Sequence, residues 1–252
     1  MGGTSHLANF SLMETPPRDA VRILRTLDAR VRVSVRDRLS KVRAERLLGR
    51  VVEAAPDVAQ YLQPSWSDGP LRARELVDLL RARGPVVALV PNAHYGALFG
   101  ANERIALAFR ALVPTLIDRG YSVLVLAHDL RSSPDDPSLM NMMVKDQDPS
   151  LVRSFLPRTA AQAKAVLGLV DGVITGRMHA AVAAMSQDIP TVGLDYVDKF
   201  VGQFEWFGRE SAVVPWQSLF EPAALVEMLQ SSMATEIQTA DAAKALLPRW
   251  LV

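Results

Sequence analysis

DGVITGRMHAAVAAMSQDIPTVGLDYVDKFVG, residues 171–202, is the stretch whose reading decides the fold. Gly172 to Thr175 is a short apolar run rich in β-branched side chains, and residues 177 to 187 follow with alanines at 180, 181, 183 and 184, so the order is strand, then helix. The Gly176 turn then falls at a helix N-terminus. Backbone N–H groups there lack intrahelical acceptors and the helix dipole is positive, which favours an anion before any side chain is counted. Arg177 and His179 lie in the first turn, and the next apolar run, Thr191 to Leu194, delivers Asp195, Tyr196 and Lys199 just past its C-terminal end. In open α/β sheets ligands bind at that edge. Taken singly, Arg177 reads as a solvated charge and His179 as a structural histidine; with Lys199 the three form a candidate anion site.

Composition limits what such a site can serve. The chain has 252 residues, 49% of them hydrophobic, and a net charge of +1, enough to bury one large core or two smaller ones. The balanced charge argues against nucleic acid or an anionic membrane as a general partner, so basic function must be local. With no cysteine, disulfides, thiolate metal sites and cysteine nucleophiles are excluded. The N-terminus, MGGTSHLANFSLMETPP, lacks a basic start followed by an apolar core, and no apolar run approaches the ~18 residues of a membrane span. The expectation is a soluble, cytoplasmic protein.

Alternation of strand-like and helix-like segments dominates the rest. Pro17 to Ala29 reads as a helix, Val31 to Val35 as a strand, Leu39 to Leu48 as a helix and Val51 to Ala55 as a short strand. QPSWSDGP at 63–70 has linker composition, and Leu71 to Arg83 resumes as a helix before Gly84-Pro85. Beyond it, Val86 to Val90, Tyr121 to Ala127, Gly172 to Thr175 and Thr191 to Leu194 are strands, with helices over 102–119, 159–169 and 177–187. Continuous apolar strands alternating with helices predict a parallel sheet covered on both faces. His128 to Ser150 shows no clear period and reads as a functional or mobile loop, with its methionines 140, 142 and 143 packing that loop. Pro222 to Ser231 and Thr239 to Trp250 read as closing helices. Residues 1–70 are thus expected to form an N-terminal α/β unit and linker, 71–222 a Rossmann-like domain, and 223–252 the closing helices.

The order strand, GRMHA, helix, IP, strand, YVDK, FVG resembles the signature of the polysaccharide pyruvyl transferase family, with its Arg-x-His pair, Gly/Asp-x-Pro turn and Tyr-x-x-Lys segment. Upstream, SVRDRLS at 34–40 is similar to that family's Arg-Asp/Glu-x-x-Ser element, and APDVAQYL at 55–62 to its Pro-Asp segment. The strand ending in His128, with Asp135-Asp136 beyond it, is similar to its His…Asp-Asp loop. The resemblance spans about residues 30–210. It implies a GT-B-like α/β fold of two Rossmann-type domains with parallel sheets. Family members carry further α/β sequence before the position of Gly2-Gly3, so the N-terminal domain is expected to be incomplete, and a sheet shortened in this way favours association with a second copy.

The resemblance also implies a reaction: transfer of a pyruvyl group from phosphoenolpyruvate to a sugar hydroxyl pair of a cell-surface polysaccharide or a lipid-linked precursor, with no cofactor and no metal. Guanidinium forks match phosphate and carboxylate, making Arg36 and Arg177 the clamp candidates, with Lys199 a point-charge partner for phosphate. His179 is the candidate acid for the donor's methylene carbon, since an imidazole titrates near neutrality. Tyr196 and Asn92 are further binding candidates, with His94 and Tyr95 beside Asn92. His128 reads either as a substrate contact or as a turn residue, Asp135 and Asp136 as sugar contacts or helix caps. Asp37 reads as an orienter of Arg36, Ser40 as a helix cap, and Trp206 and Phe207 as sugar-stacking or core. Two other functions fit the same pattern: a GT-B-like glycosyltransferase using a nucleotide sugar, and a truncated, non-catalytic subunit.

Overall fold

A computed structural model describes residues 5–66, 70–100, 102–130 and 135–235. The expected helix over 239–250, Gly2-Gly3 and part of the 63–70 linker lie outside them.

The chain opens with a small parallel sheet, β1 (His6–Phe10), β2 (Arg32–Val35) and β3 (Glu53–Ala54), in that order. Helices α1 (Arg18–Arg25) and α2 (Arg38–Leu48) make the crossovers. Asp37 starts α2 by accepting the Ser40 N–H at 2.6 Å, and Gly49, at φ 65°, ends it in the left-handed conformation that a side chain disfavours. Asp37, rather than Ser40, is therefore the cap. Leu24, Val33, Val35, Ala44 and Val52 form the small core. Strand β1 was not legible because HLANF has no clean alternation.

Helix α3 (Pro70–Arg81) leads into the main sheet. Its strands are β4 (Val86–Val90), β5 (Ser122–Leu126), β6 (Val152–Phe155), β7 (Gly172–Thr175), β8 (Thr191–Asp195) and β9 (Val213–Pro215). All pair in parallel in the order β6-β5-β4-β7-β8-β9. Every residue of β4, β5 and β7 is buried, as both-face coverage requires. Along β4, Val87 and Leu89 join the core under α5 (Asn102–Asp118) and α10 (Pro222–Ala234). Val86, Ala88 and Val90 face α3, α7 (Ala160–Leu167) and α8 (Met178–Met185). The alanine face of α8 lets that helix lie close to the sheet: Ala180 and Ala184 are fully buried.

Three further helices escaped the sequence reading. α4 (His94–Phe99) and α9 (Lys199–Phe204) are too short to display a helical period. The stretch read as a loop from 128 to 150 contains α6 (Asp136–Val144), started by Asp135 accepting the Ser138 N–H and by Pro137 in the first turn. Met140 and Met143 are buried core residues of that helix. Edge strand β6, VRSF, was missed because its polar residues break the apolar run, and β9 ends in Pro215, tolerated where no ladder bond is lost.

The two sheets are joined through Arg36. Its carbonyl accepts Nε2 of Gln203 at 2.8 Å and Nε1 of Trp206 at 3.0 Å. Nearby, a Cβ on Gly202 would lie 2.5 Å from Cβ of Asp37, so α9 can approach the start of α2 only as glycine.

Candidate active site

The order of the main sheet reverses between β4 and β7, and the C-terminal ends of those strands open a crevice there. A cavity of about 420 Å³ occupies it, reached from the small sheet by Arg36 alone among its lining residues. All seven residues expected from sequence, Arg36, Asn92, His128, Arg177, His179, Tyr196 and Lys199, line this one cavity.

Arg177 is the N-cap of α8, in extended conformation. Its Nε and Nη2 donate to the two carboxylate oxygens of Asp136 at 2.9 and 2.5 Å, and Nη1 donates to Asp129 at 3.2 Å. Asp136, with no exposed surface, also accepts the backbone N–H groups of Ala93, His128 and Asp129. One carboxylate thus fixes Arg177 and the loops after β4 and β5 together. Asp136 is neither a helix cap nor an accessible sugar contact.

Arg36 is held by its own carboxylate. Nη1 donates to Asp57 at 2.7 Å and Nε to the Ser11 hydroxyl at 2.8 Å, while that hydroxyl donates to Asp37. Asp37 therefore orients Arg36 through Ser11. Nε2 of His179 lies 3.3 Å from Nη1 of Arg36 and 3.5 Å from Oδ2 of Asp57. Protonated, it has a carboxylate acceptor; deprotonated, it has a guanidinium donor, so each state has a partner. Burial opposes the charge of Asp57, but its hydrogen bond with His179, that with the Ala59 N–H and the charge of Arg36 outweigh it, holding the carboxyl below its usual value.

His128 makes no side-chain hydrogen bond among the described residues. Desolvation, reinforced by the charges of His179 and Arg177 against those of Asp136 and Asp129, lowers its pKa from 6.5 to about 4. At neutral pH it is an uncharged imidazole facing the cavity. Lys199, the first residue of α9, has no carboxylate within ion-pairing distance among the described residues and is only partly buried. Arg177 pairs with Asp136 and Asp129, and Arg36 with Asp57, so among the described residues Lys199 is the cation of the cavity with no carboxylate partner.

The remaining candidates serve the frame. Asn92 donates to the Gly176 carbonyl at 2.8 Å and accepts the His94 N–H at 3.1 Å, so its amide ties the β4 loop to the β7 turn. Tyr95 is fully buried, with its hydroxyl on the Leu194 carbonyl, and burial pushes that hydroxyl's pKa well up. His94 sits 3.5 Å from Asp129. Trp206 spends its indole N–H on Arg36, and Phe207 is buried core. Asp57, Asp129 and Ser11 were not assigned from sequence. Asp57 stood inside the quoted Pro-Asp segment, whereas nothing local marks Ser11, which meets Arg36 from another strand end.

Two parallel α/β units meeting at a cation-lined cavity on the strands' C-terminal edge define a GT-B-like transferase fold. It is similar to alpha,alpha-trehalose 6-phosphate synthase from Burkholderia multivorans, with TM-score 0.53 and 12% identity over 94% of this chain and 60% of that one. ADP-heptose lipopolysaccharide heptosyltransferase II of E. coli aligns with TM-score 0.47 and 13% identity over 91% of this chain and 98% of that one. Comparison with curated proteins gives no match. The family model for polysaccharide pyruvyl transferase matches residues 11–198, and the chain belongs to that family of transferases. Among the described residues no helix is long and apolar enough to cross a membrane.

Proposed function

We propose that this protein transfers the pyruvyl group of phosphoenolpyruvate to two hydroxyls of a saccharide, free or lipid-linked, forming a cyclic ketal of a cell-surface polymer or its precursor. The observation that carries the reading is the placement of His179 Nε2 between Arg36 and Asp57, at the rim of a cavity that also holds the unpaired Lys199. In the first step protonated His179 gives its proton to the donor's methylene carbon, which becomes a methyl group, and the adjacent carbon becomes electrophilic. A sugar hydroxyl adds to that carbon and its proton returns to His179. The second hydroxyl then displaces phosphate, which leaves carrying the remaining proton. Lys199 and the first-turn N–H groups of α8 disperse the charge of the departing phosphate. Arg36 and Arg177 present their remaining N–H groups to the donor. Neutral His128 hydrogen-bonds the acceptor hydroxyl, and Tyr196 covers the sugar.

The reaction changes no oxidation state, so it calls for no redox cofactor, and the side chains named supply the positive charge without a metal. The cytoplasm is the compartment that supplies phosphoenolpyruvate. Calorimetric titration with phosphoenolpyruvate, beside uridine diphosphate, tests the reading on the wild type and on Lys199→Ala and His179→Ala. Saturable binding of phosphoenolpyruvate alone, weakened about tenfold by Lys199→Ala, is expected for the loss of a charge-assisted hydrogen bond. Binding of the nucleotide instead would give the site to a glycosyl donor, and no binding by a folded chain would leave a non-catalytic subunit.

A further inference from the structure

A second cavity, of about 480 Å³, opens at the C-terminal ends of β8 and β9 and shares Tyr196 with the first. Its character is opposite. No lysine, arginine or histidine lines it; its charged groups are the carboxylates of Asp195 and Asp198. Asp195 accepts the Val197 N–H through one oxygen, and Asp198 lies 3.5 Å from Arg43. The rings of Phe99 and Trp216 stack at 4.2 Å and 6°, and Tyr196 meets Tyr95 edge-on nearby. Phe99, which lines the groove, is 40% exposed, and Phe220 meets Trp216 edge-on at 6.0 Å from outside the lining. The indole N–H of Trp216 has no partner among the described residues.

Aromatic faces take the C–H face of a pyranose, while carboxylates and an indole N–H accept from and donate to its hydroxyls. Carboxylates also repel phosphate and carboxylate ligands, so this groove selects against the anionic donor. We infer that it binds a neutral pyranose of the acceptor saccharide, the unit next to the one that reaches His179 across Tyr196. This assignment rests on the transfer reading above for the acceptor's identity, though the groove's recognition of neutral sugar does not.

The test is saturation-transfer NMR with lactose, mannobiose, cellobiose and chitobiose as probes, on the wild type, Phe99→Ala and Trp216→Leu. Transfer to ring protons of at least one disaccharide is expected, with affinity about fivefold weaker in each variant, the scale of one lost aromatic contact. Saturating phosphoenolpyruvate should leave the signal in place. Signal from a disaccharide without any binding of phosphoenolpyruvate would support the groove while sinking the transfer reading. The inference is overturned if no disaccharide binds, if binding survives both substitutions, if phosphoenolpyruvate displaces the sugar, or if sedimentation shows that Trp216 instead mediates self-association.

Discussion

Arg177 and Asp136 form a two-pronged pair in which Nε and Nη2 each meet one oxygen of a carboxylate with no exposed surface. A residue that looks, in sequence, like a ligand clamp is first a structural ion pair. Removing one partner from such a pair leaves a buried charge uncompensated, at a cost of about 3–5 kcal/mol. Asp136→Ala and Arg177→Ala are each expected to lose stability on that scale in urea unfolding. The double variant should lose clearly less than the sum, because the two share one interaction. Additive losses would mean that the pair contributes nothing as a pair.

Lys199 should behave in the opposite way. With no carboxylate to leave behind, Lys199→Ala is expected to keep its unfolding midpoint, within about 0.5 kcal/mol. Its loss should appear in binding of phosphoenolpyruvate. A variant that binds normally but unfolds early would move Lys199 from the site to the scaffold.

The neutral state of His128 sets a pH dependence. An unfolded imidazole takes up a proton near pH 6.5, the folded one only near 4, so between those values the unfolded chain binds more protons and stability falls as pH falls. The full loss is up to about 3 kcal/mol, and once the pH is about a unit above 6.5 this histidine contributes no slope. His128→Gln should flatten that part of the stability profile between pH 7 and 4.5. Identical slopes in wild type and variant would show that His128 titrates normally.

Gly202 tests the contact between the two sheets. An alanine Cβ there would lie 2.5 Å from Cβ of Asp37, which is 2% exposed and fixed by Ser11 and Ser40. Gly202→Ala is expected to cost about 1–3 kcal/mol, as overpacking does, and to weaken phosphoenolpyruvate binding by shifting Arg36. Full retention of both properties would show that α9 has room to move.

The four inner strands of the main sheet were legible because they are continuous apolar runs: VVALV at 86–90 and GVIT at 172–175 agree with the structure to the residue. The pairing of Arg177 with Asp136 was not, because the two residues are 41 apart and neither has a local pattern that names the other. Ser11 shows the same limit, since its role arises where β1 and β2 end side by side. The site residues other than Arg36 fall together because each follows a strand at one edge of the main sheet, a regularity of parallel sheets that sequence order does reveal, and Arg36 follows β2 of the small sheet. What each side chain does there depended on which carboxylate it met.

Gln203 and Trp206 grip the carbonyl of Arg36, not its side chain. A carbonyl is common to every amino acid, so the grip would outlast any substitution at position 36, while the N–H of the same residue donates to the Phe10 carbonyl at 3.1 Å and keeps it in its own sheet. One peptide unit is thus bonded on both sides, and the join between the small sheet and residues 203–206 at the edge of the crevice is written in main chain rather than in the arginine itself.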